Sequence, residues 1–166
     1  MKMELIQPFI NSADAILAQV MHCSTKIGDV SMEQEAYRRK GTASVVAIHG
    51  DIEGRVILDL DPKTAIHVAS QLCGAPVEES EDIVRETVNE LANMVIGNAV
   101  TLLNNEGHHF KVLPPEAHVE AQGFAGSDDT EALVMCFETP SGDIYLNIAM
   151  RYNRRRKEER AAVEIA

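Results

Sequence analysis

The chain has 166 residues, 45% of them hydrophobic, which is enough apolar material for one well-buried core but little for two, so a single domain is expected. A formal net charge of −11 disfavours general nucleic-acid binding, which needs cationic side chains to displace the counterions condensed on phosphates. No run approaches the roughly eighteen apolar residues of a membrane span and the start, Met1 to Pro8, lacks a signal-peptide core, so a soluble cytoplasmic protein with no membrane partner is expected.

From about Gln7 to His22, Ile10, Ala13, Leu17, Val20 and Met21 recur at helical spacing, and Pro8 falls near the first turn, where its missing N–H costs little. A polar connection follows. Ala43 to His49 and Gly54 to Leu60 are β-branched runs flanking Gly50-Asp51-Ile52-Glu53, which reads as an antiparallel hairpin. Asp61-Pro62 supplies an N-cap and a first-turn proline for a short helix through Ala65, Ile66, Val68, Ala69 and Leu72, with Gly74 as its stop.

The acidic segment Glu78 to Asp82 opens the longest helix, where negative charge complements the backbone dipole and Ser80 is placed to cap; the helix should run to about Asn105, before Gly107. Val84, Val88, Leu91, Val95, Ala99 and Leu102 share one side of it and should be buried. Glu86, Glu90, Asn93, Gly97 and Asn104 cluster on the other side. Gly97, one turn after Asn93, removes the side chain that would crowd the amide. The helix therefore offers a carboxylate and a carboxamide to something outside it.

Beyond it lie Phe110-Lys111-Val112-Leu113, the pair Pro114-Pro115, a strand-like Ala117 to Gln122, and two further strands at Glu131 to Glu138 and Asp143 to Arg151, with Pro140-Ser141-Gly142 turning between them. This order predicts an α/β fold of the α+β type, an antiparallel or mixed sheet covered by helices. Six of the fifteen basic residues follow position 150, giving a tail of net charge +3 against −14 for the rest, so the expected division is a folded domain over 1–150 and a solvated basic tail over 151–166. Gly50-Asp51-Ile52 and Gly142-Asp143-Ile144 echo each other, but one tripeptide does not establish a duplication.

With Glu90-Leu91-Ala92-Asn93-Met94, and Pro115 twenty-two positions after Asn93, the sequence resembles the CheX branch of the CheC/CheX/FliY chemotaxis phosphatases. That family's motif is Asp or Ser, three residues, Glu, two residues, Asn, and a proline some twenty-odd positions on; the helix at Ile6 to Leu17, the Ile48 to Leu60 hairpin, the Ala65 to Gly74 helix and Leu113-Pro114-Pro115 extend the likeness. One motif copy, not two, favours the CheX branch. One position departs: Glu86 stands where the family prefers Asp or Ser, and two carboxylates at i and i+4 repel modestly.

The resemblance implies a phosphatase acting on the aspartyl phosphate of a CheY-like response-regulator receiver domain. It gives Asn93 the task of orienting the nucleophilic water, Glu90 a salt bridge to the receiver's lysine, and Glu86, Gly97 and Pro115 places in the contact. The expected Mg2+ belongs to the receiver, with no cofactor or metal held by this chain, and a homodimer paired through an edge strand of the second half is implied. A non-catalytic module that binds or sequesters a phosphorylated receiver is the principal alternative, favoured by Glu86; a structural dimer in a larger signalling assembly is a third.

Other residues read more plainly. Cys23, Cys73 and Cys136, an odd number in unrelated contexts, give no disulfide framework or zinc knuckle and are expected to be buried thiols. Adjacent His108 and His109 would point oppositely in a strand, so capping of the preceding helix suits them better than metal binding with His67 or His118. No Gly-x-Ser-x-Gly elbow supports serine hydrolysis, and Gly50 to Gly54 lacks the Gly-Lys-Ser or Gly-Lys-Thr of a phosphate loop.

Overall fold

The computed structural model describes residues 3–33, 37–78, 82–114, 116–118 and 131–153. Within them the chain runs α1 (Met3–Met21), β1 (Lys26–Glu33), β2 (Thr42–Gly50), β3 (Ile52–Leu60), α2 (Pro62–Cys73), α3 (Asp82–Asn105), β4 (Phe110–Val112), β5 (Glu116–His118), β6 (Ala132–Thr139) and β7 (Gly142–Tyr152). The strands form a seven-stranded sheet in the order β1-β6-β7-β3-β2-β4, with β5 also on β2. Every pairing is antiparallel. The fold is thus of the α+β type, without the parallel pairs that a mixed sheet would contain.

Strand alternation decides what each face buries. Val46 and Ile48 of β2, Val56, Leu58 and Leu60 of β3, Leu133, Met135 and Phe137 of β6 and Ile144, Leu146 and Ile148 of β7 join the apolar sides of all three helices in one core. The intervening residues Ala43, Val45 and Ile57 form a smaller cluster with Tyr37 on the opposite face. There the Asp59 carboxylate is buried, accepting hydrogen bonds from the Tyr37 hydroxyl (2.6 Å) and the amides of Lys40 (2.7 Å) and Gly41 (3.0 Å). Three donors offset the desolvation of one charge and fasten the segment before β2 to the sheet.

Several sequence expectations change. Leu5, Ile6 and Phe9 are buried, so the apolar stripe carries α1 back to Met3 and leaves Pro8 in the second turn, not the first. Residues 26–33, read as a polar connection, form an edge strand whose nearly uniform exposure left no alternation to detect. Asp61 does occupy the N-cap position of α2, yet its side chain makes no capping hydrogen bond; Pro62 at the start and Gly74, at φ +72° with its N–H on the Ser70 carbonyl, delimit the helix. Arg151, grouped with the tail by its charge, lies in β7 and donates from Nε to Glu53 at 2.8 Å. The proposed cap Ser80 and residues 154–166 of the tail lie outside the described residues.

Gly50 shows why the hairpin needs glycine where it ends. At φ +140°, a Cβ there would stand 2.5 Å from the Phe110 Cα and 2.7 Å from the His109 carbonyl oxygen. Only a residue without a side chain lets β4 approach β2 this closely. The contact is secured from both sides, since the Asp51 amide donates to the His109 carbonyl and the His109 amide to the Asp51 carboxylate, each at 2.8 Å. This anchoring fixes the segment that borders α3.

Candidate functional site

The long helix α3 packs on α1, α2 and the sheet through Val84, Thr87, Val88, Leu91, Ala92, Val95, Ile96, Ala99 and Leu103, all buried. Five of the six residues expected in this stripe are there. Leu102 is the exception, 43% exposed while Leu103 is 1% exposed. Buried Ala92 and Ile96 show the covered arc to be broader than the stripe and centred to one side of it, and Leu103, not Leu102, continues that side at the last turn.

On the opposite face Glu86, Glu90, Asn93, Gly97 and Asn104 are all exposed. Among the described residues none of the Glu86, Glu90 or Asn93 side chains is held by a hydrogen bond or an ion pair. The carboxamide of Asn93 is thus exposed with its donor and acceptor both uncommitted among the described residues, and Glu90 stands one turn away on the same face. A Cβ added to Gly97 would meet nothing within 4 Å. The fold itself does not require glycine there; what the residue provides is clearance beside Asn93.

That clearance opens into a groove of about 470 Å³ lined by Asn93, Gly97 and Val100 on the helix and by Val112, Leu113 and Pro114 on the facing segment. The far wall is positioned by sheet pairing, Ile48 opposite Val112, and by the Leu113 amide donating to the Ala47 carbonyl at 3.0 Å. Pro115, the expected proline of the site, lies outside the described residues; Pro114 beside it is a lining residue. Val100, Val112 and Leu113 were not anticipated as site residues, although Leu113 stands in the Leu113-Pro114-Pro115 run that extends the likeness. Val100 carried a usable signal: at 100° per residue it points within 20° of Asn93, an apolar side chain on the polar side of the helix.

Among the described residues no three His, Cys, Asp or Glu side chains gather as a metal site would need. The α3 terminus is closed by backbone, with the Gly107 amide on the Asn104 carbonyl (3.0 Å) and the His108 amide on that of Leu103 (3.4 Å), while the His108 ring tilts against Tyr152 at 5.8 Å. Of the three thiols, Cys73 is exposed at the end of α2 and Cys23 and Cys136 are half-buried, so none is the fully buried group expected. Burial, then the charge of Asp143 nearby, pushes the Cys136 thiol up to about 11, away from reactivity at neutral pH.

The family model for the chemotaxis phosphatase CheX matches residues 42–138, more than half of the chain and the whole of α3. The CheY-P phosphatase CheX of Thermotoga maritima is 25% identical over 116 residues, 69% of this chain and 75% of that one. The CheX–CheY–BeF3–Mg2+ complex from Borrelia burgdorferi contains a chain 29% identical, with a TM-score of 0.73 covering 88% of this chain and 97% of that one. A CheC-like superfamily protein from Shewanella sp. PV-4 shares the fold with a TM-score of 0.81, covering 91% and 99% at 22% identity.

Proposed function

The chain belongs to the CheX chemotaxis phosphatase family, and from that premise we propose that it dephosphorylates a CheY-like receiver domain by hydrolysing its aspartyl phosphate, with Asn93 and Glu90 as the working residues. The observation that carries this reading is the uncommitted Asn93 carboxamide on the outer face of α3, one turn from Glu90 and with Gly97 clearing its far side. It supports a reaction in which this chain supplies position more than covalent chemistry. An acyl phosphate is intrinsically labile, so the barrier falls mainly by setting a water in line with phosphorus while charge on the phosphoryl oxygens is neutralised.

A carboxamide suits that task because it holds water through a donor and an acceptor in fixed geometry and brings no negative charge toward an anion. Glu90 would accept an ion pair from the lysine beside the receiver's phosphate, fixing the depth to which Asn93 enters. That contact gains strength as docking removes water from it. The Mg2+ of the proposal sits in the receiver's acidic pocket; the B. burgdorferi complex, which joins CheX and CheY with BeF3 and Mg2+, is the relative that supports this arrangement. The proposal sets the reaction in the cytoplasm; among the described residues no helix is long and apolar enough to cross a membrane.

The proposed assembly is a homodimer paired through a sheet edge. The second half supplies one edge at β4 and β5; β1 forms the other and carries Ile27, Val30 and Met32 exposed, an apolar row that a partner strand would cover. The direct test of function is to charge a CheY-like receiver with acetyl phosphate and follow its phosphoryl group: loss faster than self-hydrolysis, abolished in Asn93→Ala, is the expected result. Glu86 favours a second reading, a module that binds phosphorylated receiver without hydrolysing it, and tight binding with unaltered phosphoryl lifetime would select that reading.

A further inference from the structure

The groove between α3 and the β4–Pro114 segment is not used by the chemistry just described, although Asn93 and Gly97 form one of its walls. Charge divides this face of the molecule in two. Toward the start of α3 from Asn93 stand the exposed carboxylates Glu86 and Glu90; on the other side, Gly97, Val100, Val112, Leu113 and Pro114 carry no charge at all. In a chain of net charge −11, an uncharged recess directly beside the catalytic amide is the surface that the rim of an acidic phosphorylation pocket can approach without repulsion.

We propose that this groove receives an apolar side chain from the receiver domain, on the loop bordering its phosphorylation pocket, and that this second contact sets affinity and receiver choice while Glu90 and Asn93 handle the phosphate. The proposal rests on the phosphatase reading for its occupant. Two features commit the groove to that partner. It is continuous with the face of Asn93, so a body close enough to present a phosphoryl group there must also lie over Gly97, one turn along. Its walls are half-buried or exposed apolar side chains, with Leu113 43% exposed, and these gain from losing water only when something covers them.

The test separates the groove from the chemistry. Val100→Ala trims the helix wall of the recess two turns from Asn93, at a half-buried position where alanine is the better helix former, so the helix is preserved. Leu113→Ser removes apolar surface at a largely exposed position. Both variants should raise the receiver concentration for half-maximal rate about five- to tenfold while leaving the saturating rate within about twofold, the range expected for one well-placed apolar contact.

Equilibrium titration with the same receiver held as its Mg2+–beryllofluoride form should show the same loss for both variants. Unchanged half-saturation and binding in both overturns the groove. A fall in the saturating rate alone also overturns it, since the residues would then be acting on chemistry. If wild-type protein binds receiver but does not hydrolyse it, the catalytic reading fails and the binding arm still decides the groove; if it binds no receiver, both fail.

Discussion

Ser12 of α1 donates a buried hydrogen bond of 2.6 Å to the carbonyl of Val95 in α3, two residues beyond Asn93. Asn93 faces solvent while Val95 faces α1, so this bond clamps the helix from behind at the level of Asn93. A helical carbonyl has a second lone pair free for such a bond. Replacing Ser12 with alanine therefore orphans no donor and should cost about 1 kcal/mol, the net worth of one such bond. Urea titration of Ser12→Ala is expected to show that loss at unchanged slope, with the saturating phosphatase rate within about twofold of wild type well below the melting temperature.

The two working residues should separate kinetically. Asn93→Ala removes the group proposed to orient water and is expected to lower the saturating rate about a hundredfold or more, the scale set by loss of one preorganised catalytic donor, with half-saturation little changed. Glu90→Ala removes the proposed docking contact and should act mainly on half-saturation, raising it about tenfold. Both side chains are exposed and free of partners among the described residues, so thermal stability should stay within about 0.5 kcal/mol of wild type. A Glu90→Ala variant that loses saturating rate with normal affinity would move Glu90 from docking to chemistry.

Glu86 lies one turn before Glu90, and both are exposed on the same face. Like charges at this spacing cost a few tenths of a kcal/mol in an isolated helix, about 0.2–0.5. Replacement by Ser or Asp, the residues the family prefers, should raise kcat/KM modestly, within about threefold, by freeing Glu90 or shortening the competing acid. An increase of tenfold or more would show that the longer side chain obstructs the site, and a decrease would show that Glu86 itself pairs with the receiver.

How much of this was readable in the sequence follows from range of interaction. The outward set on α3 depends on a 3.6-residue period and emerged on the correct face, and the β2–β3 hairpin, read from two β-branched runs about a glycine turn, pairs antiparallel as expected. Edge strand β1 did not, because an exposed strand buries no alternate residues and leaves no period to find. Asp59, between Leu58 and Leu60, reads locally as an outward polar residue; its burial depends on Tyr37, Lys40 and Gly41, some twenty positions away. The groove was only half visible for the same reason. Asn93 and Gly97 are neighbours by helical geometry, whereas Val112, Leu113 and Pro114 reach them only once Gly50 has let β4 close on β2.

All three tyrosines are held protonated beyond their ordinary range, and this gives the fold a defined alkaline limit. Burial and the adjoining Asp59 carboxylate, to which it donates, raise Tyr37 furthest; burial raises Tyr145; a hydrogen bond to Glu4 and then partial burial push Tyr152 up to about 12. The unfolded phenols ionise near 10. A folded value above the unfolded one means that stability is fully present below pH of about 10 and declines as pH rises through the folded values, because only the unfolded chain has given up its protons. Near-ultraviolet titration of the native protein should therefore show tyrosinate appearing well above the pH at which urea-unfolded protein shows it. Tyr37→Phe should remove the steepest part of the stability decline between about pH 10 and 12, and at pH 8 cost about 1.5–3 kcal/mol for the lost bond to a buried carboxylate. Native tyrosinate absorbance rising near 10 with full amplitude would mean that Tyr37 does not donate to Asp59 and that the segment before β2 is fastened by the two backbone amides alone.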